Sequence, residues 1–308
     1  MIIEYNKNYC MCNLELMKHI KDETINLIYA DILYGTGRTF EHYDDLKINY
    51  DEELIYNIIP KSIYNFYIVR IKEFHRILKN NGSIYLHMDY RINYYIRIMM
   101  NEVFGVDNFK NEIIWCYKSF SIKKKDRISN SHDTIYIYSK TNDNVFNMEK
   151  LQKYFKSCER VLSMRHQADK DGNVRYKDLT HAQKVGFFRG KHKKKDDDII
   201  MNIYNGRIID WWDINIVGRG GNKEQKNGKY ATQKPIALLE RIIKASSNEG
   251  DVVFDPFLGS GTTVVVANQL NRKWIGCDIN PYSIELTEKR LKEKQLPNKN
   301  KIKTLFNL

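Results

Sequence analysis

The stretch that most restricts the fold is Val252-Val253-Phe254-Asp255-Pro256-Phe257-Leu258-Gly259-Ser260-Gly261-Thr262-Thr263, where an apolar run meets an acidic turn, two glycines and a helix-forming segment. A strand that turns into a helix over glycines leaves bare backbone for a ligand to approach, because no Cβ stands in the way. The next apolar run, Trp274-Ile275-Gly276-Cys277, ends on Asp278, a carboxylate suited to accept both hydroxyls of a ribose. Strand, Gly-x-Gly, helix, strand and Asp, in that order, outline a nucleoside pocket at the carboxyl edge of a sheet. The dinucleotide fingerprint expects a third glycine where Thr262-Thr263-Val264 stand, and a nucleotide-triphosphate loop needs a lysine that is missing. Both departures point away from NAD and ATP. They leave S-adenosylmethionine (AdoMet), which has no pyrophosphate to cradle, as the better occupant.

Elsewhere the chain reads as a succession of different βα units without an internal repeat. Hydrophobic spacing predicts helices over 13–20, 55–78, 92–103, 235–245, 262–270 and 283–294. Asn80-Asn81-Gly82 is expected to cap the second of these. Strands are predicted over 25–30, 83–88, 112–117, 134–138, 252–254 and 274–277. The alternation implies a mostly parallel sheet covered by helices. From about 145 to 227 the sequence is charge-dense and lacks sustained periodicity, so a separate lobe is expected there.

The formal net charge of +12 favours a polyanionic partner, since neutralising phosphates releases condensed counterions. Five scattered cysteines, Cys10, Cys12, Cys116, Cys158 and Cys277, lack zinc-site spacing and argue for reduced thiols in a cytoplasm; no metal is implied. No stretch is long and apolar enough to span a bilayer, so no membrane partner is expected.

Asp255 to Thr263 resembles, without a gap, the cofactor loop of the β-class amino-methylating DNA methyltransferases, whose segments are circularly permuted. Tyr230-Ala231-Thr232-Gln233-Lys234-Pro235 and Gly276-Cys277-Asp278 are similar to two further segments of that family, and Asp31-Ile32-Leu33-Tyr34 matches the position of its catalytic Asp-Pro-Pro-Tyr. The likeness extends through 104–115 and 132–140. It implies an α/β Rossmann-like AdoMet-dependent methyltransferase fold with a central, mostly parallel sheet and an inserted target-recognition lobe. The implied division is 1–144 for the catalytic half, 145–229 for the lobe and 230–308 for the AdoMet-binding half.

By the same resemblance, Asp31, the backbone of Ile32 and the ring of Tyr34 are the catalytic candidates. An exocyclic amine has its lone pair delocalised into the base, so acceptors that hold its N–H groups favour attack on a sulfonium methyl. Asp31 would accept one N–H, the Ile32 carbonyl the other, and Tyr34 would stack on a base flipped out of the duplex. Thr232, Lys234, Pro235, Asp255, Phe257, Gly259, Gly261, Thr262, Thr263 and Asp278 are the cofactor-binding candidates. The expected reaction is site-specific methylation of adenine N6, with cytosine N4 as the alternative. Ile32 and Leu33 replace both prolines and motivate a further alternative, an inactive AdoMet- and DNA-binding homologue.

Double-stranded DNA is the expected partner, with a homodimer and a cognate restriction endonuclease as further candidates. Lys123, Lys124, Lys125, Arg165, Arg175, Lys177, Arg189 and Lys193 are the candidate DNA contacts, while Trp211-Trp212 read as core. His42, His87 and His132 make no ligand set and are given structural places.

Overall fold

The computed structural model describes the chain except for residues 40–43, 50, 118–127, 153, 156–164, 172, 181–182, 185–194, 203–207, 219–223, 225–229, 231 and 294–308. It forms two compact units, one from Met1–Phe146 with Asp210–Leu308 and one from Asn147–Ile209.

The first unit holds strands β1 (Lys7–Cys10), β2 (Ile25–Asp31), β3 (Leu54–Ile55), β4 (Ile59–Pro60), β5 (Leu78–Met88), β6 (Phe109–Cys116) and β7 (His132–Ser139). Its helices over the same stretch are α1 (Asn13–Met17), α2 (Lys61–Ile77) and α3 (Asn93–Phe104). The second unit contributes α4 (Met148–Gln152) and the antiparallel pair β8 (Asn173–Arg175) and β9 (Ile199–Asn202). The chain then returns to the first unit with β10 (Trp211–Asp213), α5 (Ile236–Ser246), β11 (Val252–Asp255), α6 (Thr262–Gln269), β12 (Lys273–Asp278) and α7 (Pro281–Lys292).

Among the described residues, one sheet has eight strands in the order β1-β12-β11-β2-β5-β7-β6-β10. Only β7 runs against the others in it. The α/β, mostly parallel architecture expected from the sequence is the one observed. β2 is buried along Ile25–Ala30, as a central strand covered on both faces must be. In α2 the buried residues Ile63, Tyr67, Ile71, Phe74 and Ile77 recur at helical spacing and face the core. Helices α1 to α3 form one packed group and α5 to α7 another. Asn280 caps α7 by accepting the Tyr282 N–H at 2.9 Å, with Pro281 in the first turn.

Three expectations change. Helix α2 begins at Lys61, not near 55, because Leu54–Ile55 and Ile59–Pro60 pair as a small ribbon whose turn places Tyr56 and Asn57 at φ 53° and 57°. Gly82 does not cap α2; β5 starts directly at Leu78 and runs through it. A Cβ there would lie 2.9 Å from Leu78 Cδ1 and 3.0 Å from the Asn26 carbonyl, so glycine serves close packing between β5 and β2. Finally, Trp211–Asp213 pairs with Ile114–Cys116 and belongs to the sheet, although the expected lobe included it. Trp212 is buried and Trp211 exposed, the alternation of a strand.

Candidate active site

Strands β2 and β11 are hydrogen-bonded neighbours, with Leu27 opposite Val253 and Ile28 opposite Phe254. Their carboxyl ends therefore deliver Asp31 and Asp255 to the same edge, although 224 positions separate them in sequence. Both line a cavity of about 700 Å³, which lies in the range of small-molecule sites. Its wall also includes Ile32, Tyr34, Thr232, Lys234, Phe257, Gly259, Thr262, Thr263 and Asp278.

Asp31 is the meeting point. Tyr34 Oη donates to its Oδ1 at 2.8 Å, and Lys234 Nζ donates to Oδ2, tying the first motif to the one 203 residues on. The ammonium also lies 5.5 Å from the centre of the Tyr34 ring. Ile32 is buried, and its N–H donates to the His87 carbonyl at 3.2 Å. Beneath Asp31 sits His87, fully buried on β5, with Nδ1 3.8 Å from Asp31 Oδ1. Its Nε2 is 3.2 Å from Asp133 Oδ2, and a carboxylate only accepts, so Nε2 carries the proton. Nδ1 lies within hydrogen-bond reach of Tyr29 Oη, at 2.7 Å. Burial pushes the hydroxyls of Tyr29 and Tyr34 well above their usual range, with the Asp31 charge acting the same way, so both stay protonated donors.

The glycine turn is held from two sides. Asp278 accepts the N–H of Gly259 at 2.8 Å and of Asn280 at 2.9 Å, and it also lines the cavity. Thr262 Oγ1 donates to the Lys234 carbonyl at 3.0 Å. Buried Arg290 donates to Thr262 Oγ1 at 3.0 Å and to the Ser260 carbonyl, while burial lowers its pKa to about 10. The Asp255 carboxyl is raised to about 7, first by burial and then by the nearby Asp31 and Asp278, against hydrogen bonds from Thr263 and the Phe257 N–H. Two of the named candidates do not line the cavity. Pro235 precedes α5 as its N-cap, and Gly261 sits at φ 72° where a Cβ would lie 2.1 Å from Thr287 Oγ1. Gly261 therefore acts by letting α6 and α7 approach.

A family model described as DNA methylase, N6_N4_Mtase, matches residues 25–289. The chain belongs to this family. The DNA adenine methyltransferase YhdJ of Escherichia coli (strain K12) is 30% identical over 278 residues, which is 89% of this chain and 79% of that protein. Among solved structures, the PvuII DNA methyltransferase (cytosine-N4-specific) has a TM-score of 0.60 at 18% identity, covering 99% of this methylase and 93% of that chain. The M1.HpyAVI–SAM complex has a TM-score of 0.51 at 19% identity, covering 92% and 99%. At these identities the two structures speak for the fold.

Of the candidate DNA contacts, Lys123, Lys124, Lys125, Arg189 and Lys193 lie outside the described residues, as do Cys158 and His42. Arg165 opens a short 3-10 turn, Arg165–Gln167. Arg175 and Lys177 lie in the second unit, where Arg175 reaches Asp169 at 3.6 Å and Lys177 reaches Asp197 at 2.8 Å. Those cations are paired within their own unit. Among the described residues no helix is long and apolar enough to cross a membrane.

Sequence reading missed several cavity residues. Met11, Asn13, Asp45, Phe66 and Arg70 line it, and Arg70 stacks 3.7 Å from the Phe66 ring centre while its Nε donates to Asn13 Oδ1 at 3.0 Å. None lies in a recognisable motif. The only available signal was positional: each falls on an element that ends or passes at the carboxyl edge of the sheet.

Proposed function

We propose that this methylase transfers a methyl group from AdoMet to the N6 amine of adenine in duplex DNA, at a specific site. The observation that carries the reading is the joining of Asp31, Tyr34 and Lys234 at the tip of β2 inside the cavity that the glycine turn helps to form. The donor set suits AdoMet. Five carboxyl groups line a partly apolar cavity, Asp31, Asp255 and Asp278 among them, and favour a cationic ligand, while Phe66 and Phe257 offer faces for an adenine ring. Asp278 would hold the ribose hydroxyls, and Thr232 and Lys234 the methionine end. AdoMet supplies an activated methyl group on a good leaving group.

The protein's own contribution is orientation. Asp31 accepts an amine N–H, the Ile32 carbonyl accepts a second, and the Tyr34 ring stacks on the extruded base. An acidic residue at the first position favours adenine, and a relative at 30% identity is named a DNA adenine methyltransferase. The second unit, Asn147–Ile209, is proposed to choose the target sequence, with Lys123, Lys124, Lys125, Arg165, Arg175, Lys177, Arg189 and Lys193 gripping phosphates. For Arg175 and Lys177 this requires exchanging the Asp169 and Asp197 pairs for phosphate. A second copy of the chain, a cognate restriction endonuclease and a cytoplasmic location complete the proposal, supported by the family resemblance.

Incubation with methyl-labelled AdoMet and duplex DNA, followed by digestion to nucleosides, should yield labelled N6-methyladenine. Asp31→Ala should lower incorporation by at least about 10²-fold, the scale on which loss of one catalytic hydrogen-bonding group is felt. N4-methylcytosine as the product would move the enzyme to the second reading, and full activity of Asp31→Ala would remove the mechanism.

A further inference from the structure

The loss of both prolines at Ile32 and Leu33 removes two φ restraints from the segment that carries Tyr34. Something else must hold that backbone, because a displacement of 1 Å at a reacting centre can cost about 10²-fold in rate. Asp45 answers the requirement. Its Oδ1 accepts the N–H groups of Tyr34 at 2.9 Å, Gly35 at 3.2 Å and Leu46 at 2.9 Å. Its Oδ2 accepts the Thr36 N–H at 2.7 Å and the Thr36 hydroxyl at 2.5 Å. Hydrogen bonds to an ionised acceptor are roughly twice as strong as neutral ones, and successive amides turned toward one anion form a rigid nest.

The same loop is tied at two more points. Tyr67 Oη, from the buried face of α2, donates to the Leu33 carbonyl at 2.6 Å. Gly37 N–H donates to the Leu46 carbonyl at 2.8 Å, and Asp45 N–H to the Arg38 carbonyl at 2.9 Å, so the two arms of the loop close on each other.

Asp45 also lines the cavity, which raises the alternative that it binds ligand or takes a proton. Its hydrogen bonds argue against that. An ionised carboxylate has about four lone-pair sites, and five donors already occupy the two oxygens of Asp45. Asp31, by contrast, presents its oxygens to Tyr34 and Lys234, groups on the cavity wall.

We infer that Asp45 is a positioning residue: it gathers the amides of Tyr34, Gly35 and Thr36 and so fixes the catalytic loop that Ile32 and Leu33 leave without proline's restraint. Through Tyr34 it also sets the hydrogen bond that orients Asp31. The inference rests on the proposed reaction only for its kinetic consequence; the structural consequence stands without it.

Asp45→Asn keeps the volume but turns one acceptor into an NH₂ donor, which faces amide donors and cannot satisfy them. Amide hydrogen exchange measured on the whole protein should quicken about 10-fold or more at residues 34–36, while residues 25–30 of β2 stay as slow as in the parent. The turnover number for methyl incorporation into DNA should fall about 10- to 100-fold, and the Kd for AdoMet should change by less than about 3-fold. Rescue is the sharper readout. Among the described residues Leu33 N–H has no backbone partner, so Leu33→Pro sacrifices no hydrogen bond there. Leu33→Pro in the Asp45→Asn background should recover at least about 5-fold of the lost turnover and slow exchange at 34–36 again.

Unchanged exchange at 34–36 in Asp45→Asn, or a double variant no better than the single, would overturn the inference. If Asp45→Asn does not fold, Thr36→Val removes one donor from Oδ2 and leaves the charge. It should quicken exchange at 34–36 about 3-fold, and no change there would overturn the inference equally. Exchange needs no methyl transfer, and incorporation is counted on every base. An error in the adenine assignment therefore shows in the nucleosides made by the parent enzyme and leaves the test of Asp45 intact.

Discussion

Burial raises the Asp255 carboxyl to about 7, and this makes the cavity responsive to pH near neutrality. The raised value means that, between about pH 4 and about 7, the folded chain keeps a proton that the unfolded chain has lost. The associated stability is fully present below the unfolded pKa and is lost as pH rises through the folded value; for one such group it is on the order of 4 kcal/mol. Denaturant unfolding without cofactor should therefore show a fall in stability from pH 5 to pH 8 that is smaller in Asp255→Asn. A cationic ligand favours the ionised carboxylate, so AdoMet affinity should run the other way and tighten as pH rises through about 7, with proton release seen by calorimetry. A flat affinity profile in the parent protein would refute this role for Asp255. At this scale the sequence names Asp31, Tyr34, Lys234, Asp255 and Asp278 because they sit in motifs, and all five line the cavity. It could not disclose Asp45, His87 or Arg70, because their roles come from chain segments that meet only after folding, such as Arg70 on α2 against Asn13 on α1.

Glycines at the scale of elements were half legible. In sequence the Gly-x-Gly turn offers open backbone to a ligand, and Gly259 does border the cavity, but Gly261 faces away toward α7. Its left-handed φ of 72° and the 2.1 Å approach of Thr287 Oγ1 to a built Cβ are separate penalties for any side chain. Gly261→Ala should cost about 2–4 kcal/mol, a combination of backbone strain and overpacking, and thermal unfolding should fall by several degrees. A melting temperature within about 1 °C of the parent would show that α6 and α7 yield instead. Strands and long helices were legible because their periodicities are local, as in the buried run of β2 and the stripe of α2. The start of α2 was not. Leu54, Ile55, Ile58 and Ile59 mimic helical spacing, while the ribbon they form depends on positive φ at Asn57, a residue type that tolerates it, and at Tyr56, which does not advertise it.

For the whole molecule, the decisive event is topological: β11, near the end of the chain, inserts between β12 and β2, so that both functional edges share one cavity. No local pattern states that adjacency; it followed from resemblance and is now a matter of register. The net charge of +12 acts at the same scale but on a different partner. DNA affinity carried by phosphate contacts falls with salt through counterion release, with a slope of about −0.9 per phosphate neutralised. AdoMet meets charges inside a cavity, where screening is weak. Titrations at about 50 and 200 mM salt should therefore separate the two ligands. Duplex affinity should drop by about 10³-fold or more if six or more phosphates are gripped, whereas AdoMet affinity should move by less than about 3-fold. Charge-reversal of Lys123, Lys124 and Lys125 should flatten the duplex slope by roughly three contacts and leave the AdoMet curve where it was. A duplex affinity indifferent to salt would mean that the positive charge serves something other than nucleic acid, and the DNA side of the proposal would fall with it.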